Sequence, residues 1–305
     1  MSEVPSRVVL REVGPRDGLQ NEPPVSTAGK VALVDALGTT GLTEIETVSY
    51  VHPKAIPQMA DAAEVWSAVE RRDDVRYSAL VPNLVGARRA LDAGFGDIEV
   101  VVSASTTHNL RNINRTPQES LDGIAEVIEL AHAAGASCQV IVATAFGCPY
   151  EGEIAEDVVA SYAARARRDG ADSICFGDTT GMGSPPRVRR LVGRFRDLDA
   201  DAPLALHLHD TRGTGMANLV AGLELGVWRF DASVGGLGGC PYAPGASGNI
   251  ATEEAVYLLG ELGVETGVDL DRLLDVAELA QRLVGHELPS RVLKAGPRTR
   301  LSDSS

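Results

Sequence analysis

The 305-residue chain lacks several features that would place it in a familiar class. Its four cysteines, Cys138, Cys148, Cys175 and Cys240, form no C-x-x-C pair, so neither a structural zinc knot nor a disulfide framework is expected, and each should be a free thiol. No apolar run approaches the roughly 18 residues that span a bilayer. Residues 1–11 are too polar for a secretory signal. We therefore expect a soluble cytoplasmic protein with no membrane partner.

Basic residues are also scarce. The chain has 28 Lys and Arg against 42 Asp and Glu, a formal net charge of -14, and no local basic stripe. Because such a chain repels a phosphate backbone, we expect no nucleic-acid partner. The chain also has no glycine-spaced phosphate loop at 14–18 and no G-x-S-x-G elbow around Ser247. These absences argue against a dinucleotide-binding sheet and a serine hydrolase.

Short apolar runs alternate with longer amphipathic runs along the chain. The predicted strands are 8–13, 44–48, 77–81, 97–102, 137–144, 173–176, 203–209 and 229–233. The predicted helices are 27–39, 54–72, 84–93, 117–135, 153–169, 186–197, 216–226, 250–262 and 269–284. This alternation predicts an α/β fold, a (β/α)8 TIM barrel with additional C-terminal helices, rather than an open doubly wound sheet.

No low-complexity linker or internal repeat divides the chain. We therefore predict one catalytic domain over 1–305. It comprises a barrel over about 7–265, a helical extension over about 266–290 and a flexible tail over 291–305. The extra helices could support a homodimer.

A His-x-His pair ends the seventh predicted strand. His207 and His209 are separated by one residue, so both imidazoles lie on the same face of a strand and could bind one metal ion. The carboxyl ends of parallel strands are where α/β proteins build their sites. The alternative for the pair alone is two hydrogen-bonded barrel residues.

Other polar residues follow other predicted strands. Asp17 and Arg16 follow the first strand, Glu46 lies in the second, and Asn249 and Glu253 follow a glycine-rich loop that contains Cys240. Carboxylate, imidazole and amide ligands together suit magnesium or manganese, or less well an open zinc site. The metal set predicted from the residues is Asp17, His207, His209 and Asn249. Simpler interpretations are a surface ion pair for Arg16 and Asp17 and an apolar filler for Cys240.

Three segments resemble the 3-hydroxy-3-methylglutaryl-CoA lyase family of TIM-barrel metallolyases. They are Arg16-Asp17-Gly18-Leu19-Gln20-Asn21-Glu22, His207-Leu208-His209-Asp210 and Gly236-Leu237-Gly238-Gly239-Cys240-Pro241-Tyr242-Ala243. The resemblance runs from Val9 to about Leu288 and includes Pro53-Lys54-Ala55-Ile56-Pro57-Gln58 and Phe146-Gly147-Cys148-Pro149-Tyr150. The first two segments are shared with isopropylmalate and homocitrate synthases, whereas the cysteine loop distinguishes the lyases.

The resemblance implies cleavage of 3-hydroxy-3-methylglutaryl-CoA to acetoacetate and acetyl-CoA, with coenzyme A as part of the substrate. It implies the same four metal ligands and a catalytic set of Arg16, Asp17, Glu46, His207, Cys240 and Glu253. In that set Arg16 faces the developing enolate oxygen, and Cys240 serves in acid/base chemistry. Asp17 or His207 helps to accept the hydroxyl proton, and the two glutamates support the metal and the arginine. Leucine degradation and ketone-body formation are the implied pathways.

Two positions depart from the family pattern. His52 stands where a serine is expected, and Thr106 stands where a glutamate is common. One alternative is therefore a lyase for a related branched 3-hydroxyacyl-CoA. Another is an acetyl-CoA-dependent synthase, but Cys240 and the short C-terminus argue against the synthase. A non-catalytic CoA-ester-binding protein is a third alternative, but it would need neither Arg16 nor Cys240.

Overall fold

Eight parallel strands close into a barrel in the computed structural model, which describes residues 4–239 and 248–300. The strands are β1 Val9–Glu12, β2 Glu44–Ser49, β3 Arg76–Leu80, β4 Asp97–Ser103, β5 Ser137–Ala143, β6 Ser173–Gly177, β7 Leu204–His207 and β8 Arg229–Ala232. Each strand pairs with the next along the chain, and β8 pairs with β1. The predicted TIM barrel is confirmed.

Helices follow the strands around the outside of the barrel. They are α1 Thr27–Gly38, α2 Ala62–Ala68, α3 Leu84–Asp92, α4 Thr106–Ile113, α5 Pro117–Ala133, α6 Glu156–Arg168, α7 Pro185–Arg196, α8 Gly215–Leu223, α9 Thr252–Glu261, α10 Leu270–Val284 and α11 Arg291–Ala295. In the described part of the chain, no helix is both long and apolar enough to cross a membrane. Of the cysteines, Cys138, Cys148 and Cys175 are described, and all three are buried free thiols.

Three local features differ from the sequence expectations. Residues 54–72 do not form one helix, because a 3-10 turn at Pro57–Met59 precedes α2, and a proline cannot donate the backbone hydrogen bond of a helix interior. The helix α4 was not expected. It begins where the Ser105 hydroxyl accepts a hydrogen bond from the His108 N–H. Likewise, α11 lies in the segment expected to be a tail, and Ser290 caps it.

The C-terminal segment packs against the loop that follows β8. The Leu288 side chain is buried beside Gly235, and the Ser290 N–H donates to the Gly235 carbonyl at 3.3 Å. Gly235 has φ +68° and a Cβ there would lie 2.1 Å from Leu288 Cδ1, so both backbone conformation and space require glycine. The C-terminal segment is thus part of the scaffold at this end of the barrel. The division of the chain near residues 265 and 290 stays a prediction.

Candidate metal centre

Four predicted ligands lie together at the carboxyl end of the barrel. Asp17 lies in a single π-helical turn, Gly14–Gly18, directly after β1, and His207 is the last residue of β7. His209 follows two residues later and forms an isolated antiparallel bridge with Asn249. Ligand atoms of Asp17, His207 and His209 all lie within 4.8 Å of one another. The barrel therefore brings residues from both ends of the chain to one point.

The donor atoms point toward a shared position. His207 Nε2 lies 3.1 Å from His209 Nε2 and 3.9 Å from Asp17 Oδ2. Asn249 Nδ2 donates to Asp17 Oδ2 at 2.8 Å, while Asn249 Oδ1 is buried without a hydrogen-bond partner among the described residues. Two imidazoles, a carboxylate and an unpaired amide oxygen are a set that holds a divalent cation. The residues fit the expected metal.

The electrostatic environment keeps most of these ligands ready to bind a cation. Burial alone raises the pKa of Asp17, but Arg16 and the two histidines outweigh it and lower the pKa to about 2. Burial, with His207 nearby, lowers the pKa of His209 to about 3. Burial also lowers the pKa of His207, but a hydrogen bond to Asp231 and the charge of Asp17 outweigh it, so the net shift is upward. At neutral pH, Asp17 is thus ionised and His209 is neutral.

A buried arginine borders the ligand cluster. Arg16 Nη1 lies 2.7 Å from Asp17 Oδ1, and Arg16 Nη2 lies 2.7 Å from Glu46 Oε2. Arg16 is 6% exposed and Glu46 is 0% exposed, so water screens this pairing weakly. The two carboxylates hold the guanidinium rigidly beside the candidate metal position. A fixed positive charge there can stabilise an oxyanion on a bound ligand.

Comparison with known proteins identifies the family. The family model described as HMGL-like matches residues 7–280. The chain belongs to the HMGL-like family. Among curated relatives, the hydroxymethylglutaryl-CoA lyase YngG of Bacillus subtilis is 43% identical over 291 residues, which is 95% of this chain and 97% of the relative.

Other family members are equally similar over nearly their whole length. A 3-hydroxy-3-isohexenylglutaryl-CoA/hydroxy-methylglutaryl-CoA lyase of Pseudomonas aeruginosa is 42% identical, covering 96% of this chain and 98% of the relative. An HMG-CoA lyase from Acinetobacter baumannii, solved with coenzyme A and 3-methylmalate, superimposes with a TM-score of 0.93 at 44% identity, covering 99% of both chains. These values confirm the resemblance and the barrel fold.

The two glutamates that the HMGL-like resemblance singles out occupy different places. Glu46 lies on β2 and pairs with Arg16, as the resemblance implies. Glu253 lies in the first turn of α9 instead, and its two carboxylate oxygens accept the Gly235 N–H at 3.1 and 3.0 Å. Among the contacts described, none joins Glu253 to Arg16 or to the metal ligands. Glu253 therefore holds the base of the loop after β8, a placement that only the folded chain reveals.

One residue that the sequence patterns do not indicate contacts the candidate ligand cluster from within the barrel. Asp231 lies on β8, is 1% exposed, and has Oδ2 3.1 Å from His207 Nδ1. The signal that could have identified it is a charged residue between two apolar neighbours, Phe230 and Ala232, within a predicted barrel strand. A carboxylate behind a metal-binding imidazole orients the ring and sets its tautomer.

Cys240, to which the family resemblance assigns acid/base chemistry, lies outside the described residues. The loop leading to it is placed beside the cluster, because Asn249 Nδ2 donates to the Leu237 carbonyl at 3.0 Å. Asn21 Nδ2 also donates to the Gly239 carbonyl at 2.7 Å. The two residues that depart from the family pattern, His52 and Thr106, are both exposed.

Proposed function

We propose that the protein cleaves 3-hydroxy-3-methylglutaryl-CoA to acetoacetate and acetyl-CoA in a metal-dependent reaction. The observation that carries this proposal is the cluster of Asp17, His207 and His209 beside the buried Arg16. It occurs in a chain that matches lyases named for this reaction at about 42% identity over almost its whole length. The reaction class is a carbon-carbon lyase.

The reaction is a retro-Claisen cleavage with three requirements. A base takes the proton of the C3 hydroxyl, and the oxygen electrons form the ketone of acetoacetate. The electrons of the broken C2–C3 bond pass to the thioester enolate, which is then protonated at carbon to give acetyl-CoA. A bound divalent cation supplies Lewis acidity that lowers the pKa of a coordinated hydroxyl. Magnesium or manganese suits the ligand set proposed here.

The chain's own residues divide the remaining tasks. Arg16 stabilises the enolate oxygen, whose charge grows only as the carbon-carbon bond breaks. Asp17 or His207 helps to take the hydroxyl proton; His207 can do so only while its Nε2 is not bound to the cation, because its Nδ1 faces Asp231 at 3.1 Å. Cys240, on the sequence evidence, carries the proton to carbon. Glu46 holds Arg16 in place.

The test is direct. Metal-stripped protein is incubated with 3-hydroxy-3-methylglutaryl-CoA, with and without Mg²⁺ or Mn²⁺, and acetoacetate and acetyl-CoA are both assayed. Formation of both products in equal amounts, only with metal, supports the proposal. If neither product forms although the folded protein binds Mn²⁺, the proposed substrate is wrong. Condensation of acetyl-CoA with a keto acid would instead identify a synthase.

A second substrate has one observation in its favour. The Pseudomonas aeruginosa relative at 42% identity is named for 3-hydroxy-3-isohexenylglutaryl-CoA as well as for the methyl compound. His52 and Thr106 depart from the family pattern, so the acyl chain that this protein accepts is the part of the proposal that needs a separate test. Measuring kcat/KM for the methyl and isohexenyl substrates side by side decides between them, and His52→Ser tests whether that position sets the preference.

We also propose a homodimer as the solution state and leucine degradation or ketone-body formation as the pathway. The support for the dimer is the set of helices that extend beyond β8. Light scattering on the purified protein tests the dimer, and a monomer mass at all concentrations would exclude it. Loss of growth on leucine after deletion of the gene tests the first of the two pathways.

A further inference from the structure

A layer of buried charge lies inside the barrel beneath the ligand cluster. Arg11 on β1, Asp231 on β8 and Glu99 on β4 are each 1% exposed, and Ser78 on β3 is 7% exposed. Bulky apolar side chains normally fill this part of a TIM barrel, and a buried charge is costly unless it is paired. This layer of paired charges is therefore unusual for the interior of a TIM barrel.

Arg11 is at the centre of this layer. Its Nε donates to Asp231 Oδ1 at 2.9 Å, and its Nη2 donates to Asp231 Oδ2 at 2.6 Å. Its Nη1 pairs with Glu99, which in turn accepts a hydrogen bond from the Ser78 hydroxyl at 2.5 Å. A two-point contact with a planar guanidinium fixes both the position and the plane of a carboxylate.

The fixed carboxylate faces a metal-binding histidine. Asp231 Oδ2 lies 3.1 Å from His207 Nδ1, and an ionised carboxylate can only accept a hydrogen bond. The hydrogen of the neutral imidazole must then be on Nδ1, which leaves the lone pair on Nε2. That nitrogen is the one that lies 3.1 Å from His209 Nε2.

We propose that Arg11 is a positioning residue of the metal centre, acting through Asp231 to hold His207 in the tautomer whose Nε2 can bind the cation. The proposal rests on the metal site of the proposed function. It assigns to a residue in the barrel interior a role in metal affinity in addition to any role in stability. Changes to such outer partners of a metal ligand typically weaken metal binding by about 10–100-fold.

Each test variant differs from its control, Glu99→Gln, only at Arg11. Glu99→Gln serves as the matched control, because it alters the same buried layer and leaves the Arg11–Asp231 contact in place. Arg11→Met in the Glu99→Gln background removes that contact without leaving Glu99 as an unpaired charge. Arg11→Lys in the same background keeps the positive charge and removes only the two-point geometry, so it remains informative if the methionine variant does not fold.

Two measurements separate positioning from a merely structural role. The first is the ¹⁵N NMR spectrum of the histidine rings in metal-free protein, at a pH where His207 is neutral. The second is titration with Mn²⁺ by calorimetry. The control should keep the Nδ1–H tautomer and the wild-type affinity. The methionine and lysine variants should each show a mixture of tautomers and bind Mn²⁺ about 10–100-fold more weakly.

Asp231→Asn provides the decisive background. If Arg11 acts through Asp231, removing Arg11 after Asp231→Asn has no further effect on Mn²⁺ affinity. Equal losses in both backgrounds would overturn the proposal, as would a folded lysine variant with wild-type tautomer and affinity. If wild-type protein binds no Mn²⁺, the metal site itself is wrong, and the tautomer measurement still decides the role of Arg11.

Discussion

Arg16→Met should separate the stability of this protein from its activity. In the folded chain, Arg16 Nη2 lies 2.7 Å from Glu46, whose side chain is 0% exposed. Neither Glu46 carboxylate oxygen has a hydrogen-bond partner of good geometry among the described residues, so the arginine is its main compensation. Removing Arg16 leaves an uncompensated charge inside the barrel.

The magnitude follows from that burial. Breaking a buried ion pair by removing one partner costs about 3–5 kcal/mol of stability when the remaining group is charged. Because burial raises the pKa of Glu46 to about 8, that full cost applies above this pH and is an upper bound at neutral pH. Arg16→Met/Glu46→Gln removes both charges and should recover at least half of that loss. Turnover should not recover with it. Loss of a charge that stabilises a developing oxyanion costs about 10²–10³-fold in kcat, and the double variant lacks that charge as well.

The assay pairs urea unfolding with turnover of 3-hydroxy-3-methylglutaryl-CoA for wild type, both single variants and the double variant. Glu46→Gln is the control, because it keeps Arg16 and its 2.7 Å contact with Asp17. The expected pattern is a double variant that is stable and nearly inactive. A double variant that regains activity together with stability would refute the catalytic role of Arg16 and leave it a structural one.

Three further predictions concern single groups. Burial raises the pKa of Glu12 from 4.5 to about 7, so the folded state binds the proton more tightly than the unfolded state does. The stability of the wild type relative to Glu12→Gln, measured by urea unfolding, should therefore fall by about 3 kcal/mol as the pH rises from 4.5 to 7. Asp17→Asn should weaken Mn²⁺ binding by more than about 100-fold in calorimetry, whereas Gln20→Ala, which removes only a 2.8 Å hydrogen bond to the same carboxylate, should cost about 10-fold at most. Cys240→Ser should leave Mn²⁺ binding unchanged and lower kcat by about 10²–10⁴-fold, and full activity would exclude the proton-transfer role.

The barrel could be predicted from sequence because its strands are short, apolar and regularly spaced. Runs such as Val140 to Val142 are buried on both sides, so they read as continuous apolar segments between turn residues. The helix α4 escaped prediction because a serine cap and tertiary contacts stabilise it, and its sequence is mostly polar. Local patterns report periodicity, and they say little about segments that packing alone stabilises.

The grouping of the candidate ligands could also be predicted, since Asp17 follows one predicted strand, the histidine pair ends another, and their side chains are suited to a cation. The residues that contact these ligands from inside the barrel could not be predicted. Arg11 and Asp231 are 220 residues apart, and nothing in either local sequence indicates that they meet. The placement of Glu253 on the Gly235 N–H rather than on Arg16 has the same origin, because it depends on how α9 docks against the loop after β8.

The distance along the chain between the ligands has a consequence for protein synthesis. Asp17 is synthesised 232 residues before Asn249, which hydrogen-bonds to it. Domains fold during synthesis as their residues become available. A nascent chain that ends before the seventh strand thus holds one carboxylate and no imidazole of the cluster. A cation held by this cluster therefore cannot nucleate the folding of the barrel before the seventh strand has been synthesised.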